Sequence, residues 1–200
     1  AGRPAPHTPV WFMRQAGRSL PEYRRLRERY TLLDIARQPD LCAEVTLLPV
    51  GRLGVDAAIL FADIMLPLGD MGVQFELKEG VGPIIAAPIR TAADVQALRP
   101  FEPREHIAPI LEAIGLIRKQ SPVPLIGFAG APFTLAAYLI EGAPSREFLR
   151  VKELMYSAPD LWADLMARLT EATLRYLETQ IAAGAQAVQV FDSWVGCLGP

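Results

Sequence analysis

Short apolar runs bounded by turn residues alternate along this chain with longer stretches in which apolar positions recur every three or four residues. Three of the short runs, 55–61 (VDAAILF), 123–128 and 187–191, read as buried strands. A first helix is predicted from Ser19, because Ser19 and Glu22 have capping-box spacing and Pro21 suits a first turn. A second opens at Pro39-Asp40, carries Leu41, Val45 and Leu48 on one face, and ends near Gly51 and Gly54. Gly80 and Gly82 separate two alternating stretches within 73–89, which predicts a β-hairpin. Thr91 and Asp94 have capping spacing before a short helix. Further helices are predicted over 103–119, 134–141, 145–156 and 159–183, the last closed by Gly184.

Strands alternating with helices at wide spacing predict an α/β fold with a parallel sheet, either a barrel or a doubly wound sheet. Asp63, the segment 130–138 and Ser193 all fall at or just after the carboxyl ends of predicted strands, the edge where such folds place their sites. The uncharged stretch 121–140 is long enough to suggest a membrane helix, but Pro122, Pro124, Gly127, Gly130 and Pro132 divide it into strand, turn and helix. With 51% hydrophobic and 21% charged residues, the chain reads as one compact domain over residues 1–200. Cys42 and Cys197 have neither pairing nor metal-ligand spacing, and no signal peptide is read at the start, so a reducing compartment is expected.

Charge changes this picture at one end. Residues 1–30 carry seven arginines against Glu22 and Glu28, within a chain whose net charge is −2. Such a local field suits an anionic partner, and a pI near 5.8 makes that partner a small molecule rather than a nucleic acid. Arg24, Arg25 and Arg29 read as the solvated face of the first helix. Arg14 and Arg18 flank Gln15-Ala16-Gly17 after an apolar run, where planar guanidinium groups can grip carboxylates bidentately. Asp63 sits among Phe61, Ala62, Ile64, Met65 and Leu66, neighbours that weaken screening of its charge; a loop cap and an electrostatic role are both open to it. Tyr138 reads either as a core tyrosine or as a hydroxyl donor to a carboxylate. His7, His106 and the three lysines lie away from the strand ends, which leaves Asp192-Ser193 without a histidine for nucleophilic catalysis. Phe12, Phe61 and Phe191 fit either a core or an apolar cavity.

Two long motifs carry a resemblance. Residues 9–18 (PVWFMRQAGR) and 127–142 (GFAGAPFTLAAYLIEG) are similar, in this order, to the two signatures of the uroporphyrinogen decarboxylase family. The resemblance implies a (β/α)8 barrel of TIM type with the arginine loop over its mouth, here incomplete at the C-terminus. The chain stops after its third strand, and the later strands and a site histidine are expected beyond it. It implies cofactor-independent loss of four acetate carboxyls from uroporphyrinogen, giving coproporphyrinogen, by a cytoplasmic homodimer. No metal is expected, since a pyrrole protonated on a ring carbon is its own electron sink. Asp63 would accept the pyrrole N–H groups and stabilise the cation. Arg14, Gln15, Ala16, Gly17 and Arg18 would hold the substrate, with Arg14 a candidate for the chemistry itself, Tyr138 and Ser193 as further contacts, and Arg27 as an additional polar contact. Two alternatives stand beside this: a corrinoid-linked methyltransferase, which would need clustered His and Cys ligands for zinc, and a non-catalytic binder of polycarboxylate tetrapyrroles.

Overall fold

The structure, a computed structural model, describes residues 7–12 and 19–199. Its strands form a three-stranded sheet of order β1-β4-β5, with β1 at Ala58–Ile59, β4 at Leu125–Gly130 and β5 at Ala187–Phe191, and a separate hairpin of β2 (Phe75–Lys78) and β3 (Gly82–Ile85). β1 and β4 are parallel, Ala58 opposite Leu125 and Ile59 opposite Ile126. The Gln186 N–H donates to the Leu125 carbonyl at one end and the Ala131 N–H to the Phe191 carbonyl at the other, so β5 runs the same way. The parallel α/β expectation holds. The strand expected over 55–61 pairs over two residues only, and that expected over 123–128 lies two residues further on.

The chain divides into two compact units. The first comprises the described residues up to Ala62, with Pro109–Gly127 and Gln180–Val188. Here α1 spans Pro21–Arg27, and the Ser19–Glu22 capping box does not form: the N-cap is Leu20, without a side-chain cap. Pro21 fixes the helix start, buried Leu20 anchors it, and Glu22 pairs instead with Arg52 at 3.4 Å. Arg24, Arg25 and Arg29 are exposed, as expected of a solvated face. A capping box does form one turn later, where Thr31 and Asp34 start α2 (Leu32–Ala36), a helix the hydrophobic pattern does not announce. α3 (Pro39–Leu53) ends at Gly54 in the left-handed conformation that glycine adopts without strain. Leu20, Tyr23, Ile35 and Val45 form one core cluster of this unit, with Leu41, Leu48 and Phe61 packed on it.

α3 also holds the end of β1. The Thr46 hydroxyl, buried, donates to the Cys42 carbonyl at 2.8 Å and accepts the Phe61 N–H at 2.9 Å. The Cys42 thiol donates to the Phe61 carbonyl at 3.2 Å, and burial pushes that thiol up to about 12, so it stays a donor. Both backbone groups of Phe61 are therefore satisfied by side chains.

The second unit comprises Asp63–Ala108, Phe128–Thr179 and the residues from Gln189 onward. It contains α4 (Leu66–Asp70), the hairpin in its expected place, α5 (Ala92–Gln96) with the expected Thr91–Asp94 capping box, α7 (Pro132–Glu141), α8 (Leu149–Ser157) and most of α9 (Pro159–Ala183). The helix expected over 103–119 is α6, Ala108–Gln120. It starts late because the buried Asp70 carboxylate takes the N–H groups of Arg104 (2.6 Å), His106 (3.0 Å) and Ile107 (3.2 Å), fixing that segment as a loop. The His106 ring bonds the same carboxylate at 3.0 Å and lies against Gly69, where a Cβ would come within 2.8 Å of it.

Burial alone would raise the Asp70 pKa, but the bonds from the His106 ring and from the Arg104 and His106 backbone outweigh it and hold the carboxyl below the usual range. Its contribution is therefore present above about pH 4 and lost as pH falls through the lower folded value. Asp70→Ala is expected to cost about 3 kcal/mol at neutral pH. In thermal melts, Asp70→Asn should flatten the acid limb of the stability curve; an unchanged limb would remove Asp70 as its source.

Candidate functional site at the strand ends

Among the sequence-predicted site residues, Arg14, Gln15, Ala16, Gly17 and Arg18 lie outside the described residues. Arg27 is half-buried in the first unit, and its Nη1 donates to the Tyr30 carbonyl at 2.8 Å, stapling the turn after α1. Asp63, Tyr138 and Ser193 all belong to the second unit. They follow β1, β4 and β5 respectively, which are neighbours in the sheet.

Asp63 is a half-buried residue whose Oδ1 accepts the Met65 N–H at 2.9 Å, while its carbonyl accepts the Leu66 N–H at 3.2 Å. This is an Asx turn ahead of α4, whose N-cap is Met65 without a side-chain cap of its own. The loop-cap role is thus realised. Desolvation nevertheless pushes the carboxyl above the ordinary aspartate range, and the Met65 bond opposes it only in part. A carboxylate in such surroundings interacts strongly with any cation brought to it.

The segment after β4 explains much of the second motif. A Cβ on Gly130, the last residue of β4, would fall 2.8 Å from Leu135 Cδ2 and 3.2 Å from Ile64 Cβ, so a side chain there would have to displace Leu135. The Gly130 carbonyl accepts the hydroxyl of buried Thr173 from α9 at 3.2 Å. Pro132 opens α7, and Thr134 and Tyr138, four residues apart, share one of its faces. The Glu141 carboxylate accepts the Val151 N–H at 3.1 Å and so caps the first turn of α8.

After β5, Ser193 is exposed while both its neighbours are tied down. Thr134, fully buried, donates its hydroxyl proton to Asp192 Oδ1 at 2.8 Å and accepts the Trp194 N–H at 3.3 Å. The Trp194 indole packs edge-on against Tyr138, with centroids 5.9 Å apart, and tilted against Phe148 at 5.5 Å. Phe148 has φ 53°, the one non-glycine positive value among the described residues. Phe191 packs edge-to-face on Phe128 at 5.5 Å, and Phe61 likewise on Tyr23 at 5.6 Å within its own unit; both serve core packing. Sequence reasoning missed Thr134, Thr173 and Trp194. A threonine inside the otherwise apolar PFTLAAYLI was the available signal, because a buried hydroxyl requires a partner. Among the described residues, no three His, Cys, Asp or Glu side chains converge as metal ligands, and no helix is long and apolar enough to cross a membrane.

A family model described as uroporphyrinogen decarboxylase (URO-D) matches residues 1–200. The chain is 61% identical over 199 residues to a protein of Thermus thermophilus named uroporphyrinogen decarboxylase, covering 100% of this chain and 58% of that protein. A Bacillus subtilis protein of the same name is 55% identical over 98% of this chain and 56% of its own length. The chain thus spans somewhat over half the length of these curated relatives. Among solved structures, a methyltransferase from Methanosarcina mazei superposes with a TM-score of 0.59 over 78% of this chain and 46% of its own, at 22% identity, which is a likeness of fold.

The raised Asp63 pKa has a stability consequence of definite sign. A carboxyl whose folded pKa lies above its unfolded value loses stability as pH rises through that interval, so ionised Asp63 is a cost at neutral pH. Asp63→Asn is expected to raise the melting temperature at pH 7 and leave it nearly unchanged below about pH 4. A lower melting temperature at pH 7 would show that its capping bond outweighs its desolvation.

Proposed function

The chain belongs to the uroporphyrinogen decarboxylase family, and from that membership we propose that it acts in the decarboxylation of the four acetate side chains of uroporphyrinogen to methyl groups, giving coproporphyrinogen. The observation that carries the reading is the desolvated Asp63 carboxyl at the carboxyl end of β1, beside a strand whose following helix carries Tyr138. In the proposed chemistry, protonation of a pyrrole carbon makes the ring cationic. The bond to the departing carboxyl then breaks, its electron pair flows into the ring, and CO2 leaves. Protonation of the resulting methylene and loss of the ring-carbon proton restore the pyrrole and leave a methyl group. Asp63 accepts the pyrrole N–H groups and stabilises the cation, an interaction strengthened by its dry surroundings.

Arg14 and Arg18, with Gln15, Ala16 and Gly17, hold the substrate carboxylates, and Arg14 is a candidate for the chemistry itself. Ser193 and Tyr138 contribute hydroxyls to the substrate, and Arg27 a further polar contact. Residues 1–200 contribute to a single (β/α)8 barrel domain, which acts as a homodimer in the cytoplasm. It needs no cofactor, because the substrate is its own electron sink.

Asp63→Asn is expected to lower turnover about 100- to 1,000-fold, as for other single electrostatic stabilisers, while folding is retained. Arg14→Ala and Arg18→Ala should each weaken substrate binding by about 1.5–3 kcal/mol, measured as KM under anaerobic conditions. Near-native turnover in the first variant would remove Asp63 from the mechanism; unchanged KM in both others would remove the arginine clamp.

A further inference from the structure

We infer that Thr134 is the positioning residue for the Asp192–Ser193–Trp194 turn and fixes Ser193 in register with Tyr138. The inference deepens the proposed substrate contact of Ser193 and rests on it for its functional part. Its structural part stands on geometry alone.

A threonine hydroxyl has one proton to donate and lone pairs to accept with. Thr134 uses the proton on Asp192 Oδ1 at 2.8 Å and accepts the Trp194 N–H at 3.3 Å. The two partners are the residue before Ser193 and the residue after it. One bond fixes a side chain and the other fixes the backbone, so together they restrict the turn more than either could. Thr134 has no exposed surface, so its hydroxyl exchanges neither partner for water, although Asp192 itself is exposed. Ser193, between these two fixed points, is itself exposed. A turn held at its flanks with its central hydroxyl open is the arrangement expected of a residue that meets a ligand.

The second hold on the turn comes from the same helix. Tyr138 lies one turn beyond Thr134 on α7, and its ring meets the Trp194 indole edge-on, with Phe148 on the indole as well. Phe148 takes a left-handed backbone conformation that costs a non-glycine residue on the order of 1 kcal/mol, and it is buried. Its contact with Trp194 is part of the packing that sustains that conformation. α7 thereby sets Ser193 relative to Tyr138 by two contacts four residues apart.

The test compares Thr134→Val, which keeps the shape and removes both bonds, with Thr134→Ser, which keeps the hydroxyl, each alone and combined with Ser193→Ala. Amide hydrogen exchange at residues 192–194 reads the turn in ligand-free protein, and KM for uroporphyrinogen reads its consequence. Exchange at these amides is expected to rise at least about tenfold in Thr134→Val, with β4 unchanged, and to return close to the parent rate in Thr134→Ser. KM should rise on the order of tenfold in Thr134→Val, and this increment should vanish when Ser193 is already alanine. Unchanged exchange in Thr134→Val overturns the inference whatever happens to turnover. So does a KM increment that persists in full without the Ser193 hydroxyl. Raised exchange together with a Ser193→Ala variant of normal KM upholds Thr134 as the holder of the turn and refutes the substrate contact of Ser193, which separates the two readings.

Discussion

At the carboxyl end of a parallel sheet, backbone groups run out of strand partners just where the chain must stay open to a ligand, and each unpaired buried group costs free energy. Here three buried threonines on helices answer that constraint. Thr46 on α3 takes the Phe61 N–H after β1, Thr173 on α9 gives its proton to the Gly130 carbonyl at the end of β4, and Thr134 on α7 takes the Trp194 N–H beyond β5. Each is almost wholly inaccessible to solvent. The backbone at each of these strand ends is thereby held by a helix side chain, so the side chains that follow are free for other work. Asp63 comes two residues after the first of these fixed points and Ser193 lies inside the third.

The same constraint accounts for the cost carried by Asp63. Its carboxyl accepts one backbone N–H and shapes the entry to α4, but it is desolvated beyond what that bond offsets. Asp70, at the end of α4 and more fully buried, shows the opposite outcome: three backbone donors and an imidazole hold its carboxyl low. One aspartate is saturated with donors and serves the fold. The other keeps acceptor capacity in dry surroundings, a state that favours a ligand bearing N–H donors or positive charge.

Much of the architecture was legible because it is locally encoded. The hairpin glycines, the Thr91–Asp94 box, Gly54 at the end of α3, and the long α9 all act through neighbours in sequence. Expectations failed where a distant residue decides the matter. Asp70 takes the N–H groups of Arg104, His106 and Ile107, and α6 starts at Ala108 rather than near Pro103. Ser19 and Glu22 have the right spacing for a cap, but Leu20 and Pro21 set the boundary one residue later. The five-residue helices α2 and α4 are too short for periodicity to register. At the candidate site, Asp63, Tyr138 and Ser193 were legible as candidates from strand ends and motif resemblance, and the structure puts them after three strands of one sheet. Thr134 was not, since its partners lie some sixty residues away and a threonine in an apolar helix carries no unique reading.

The central claim is that these strand ends serve a decarboxylation in which the substrate supplies its own electron sink. The direct measurement is anaerobic incubation of the protein with uroporphyrinogen, with and without excess chelator, separating products by the number of carboxyl groups that remain. The account predicts products with seven down to four carboxyls at equal rates in both samples. Absence of decarboxylated product, or loss of activity to the chelator with recovery on adding zinc, would contradict it.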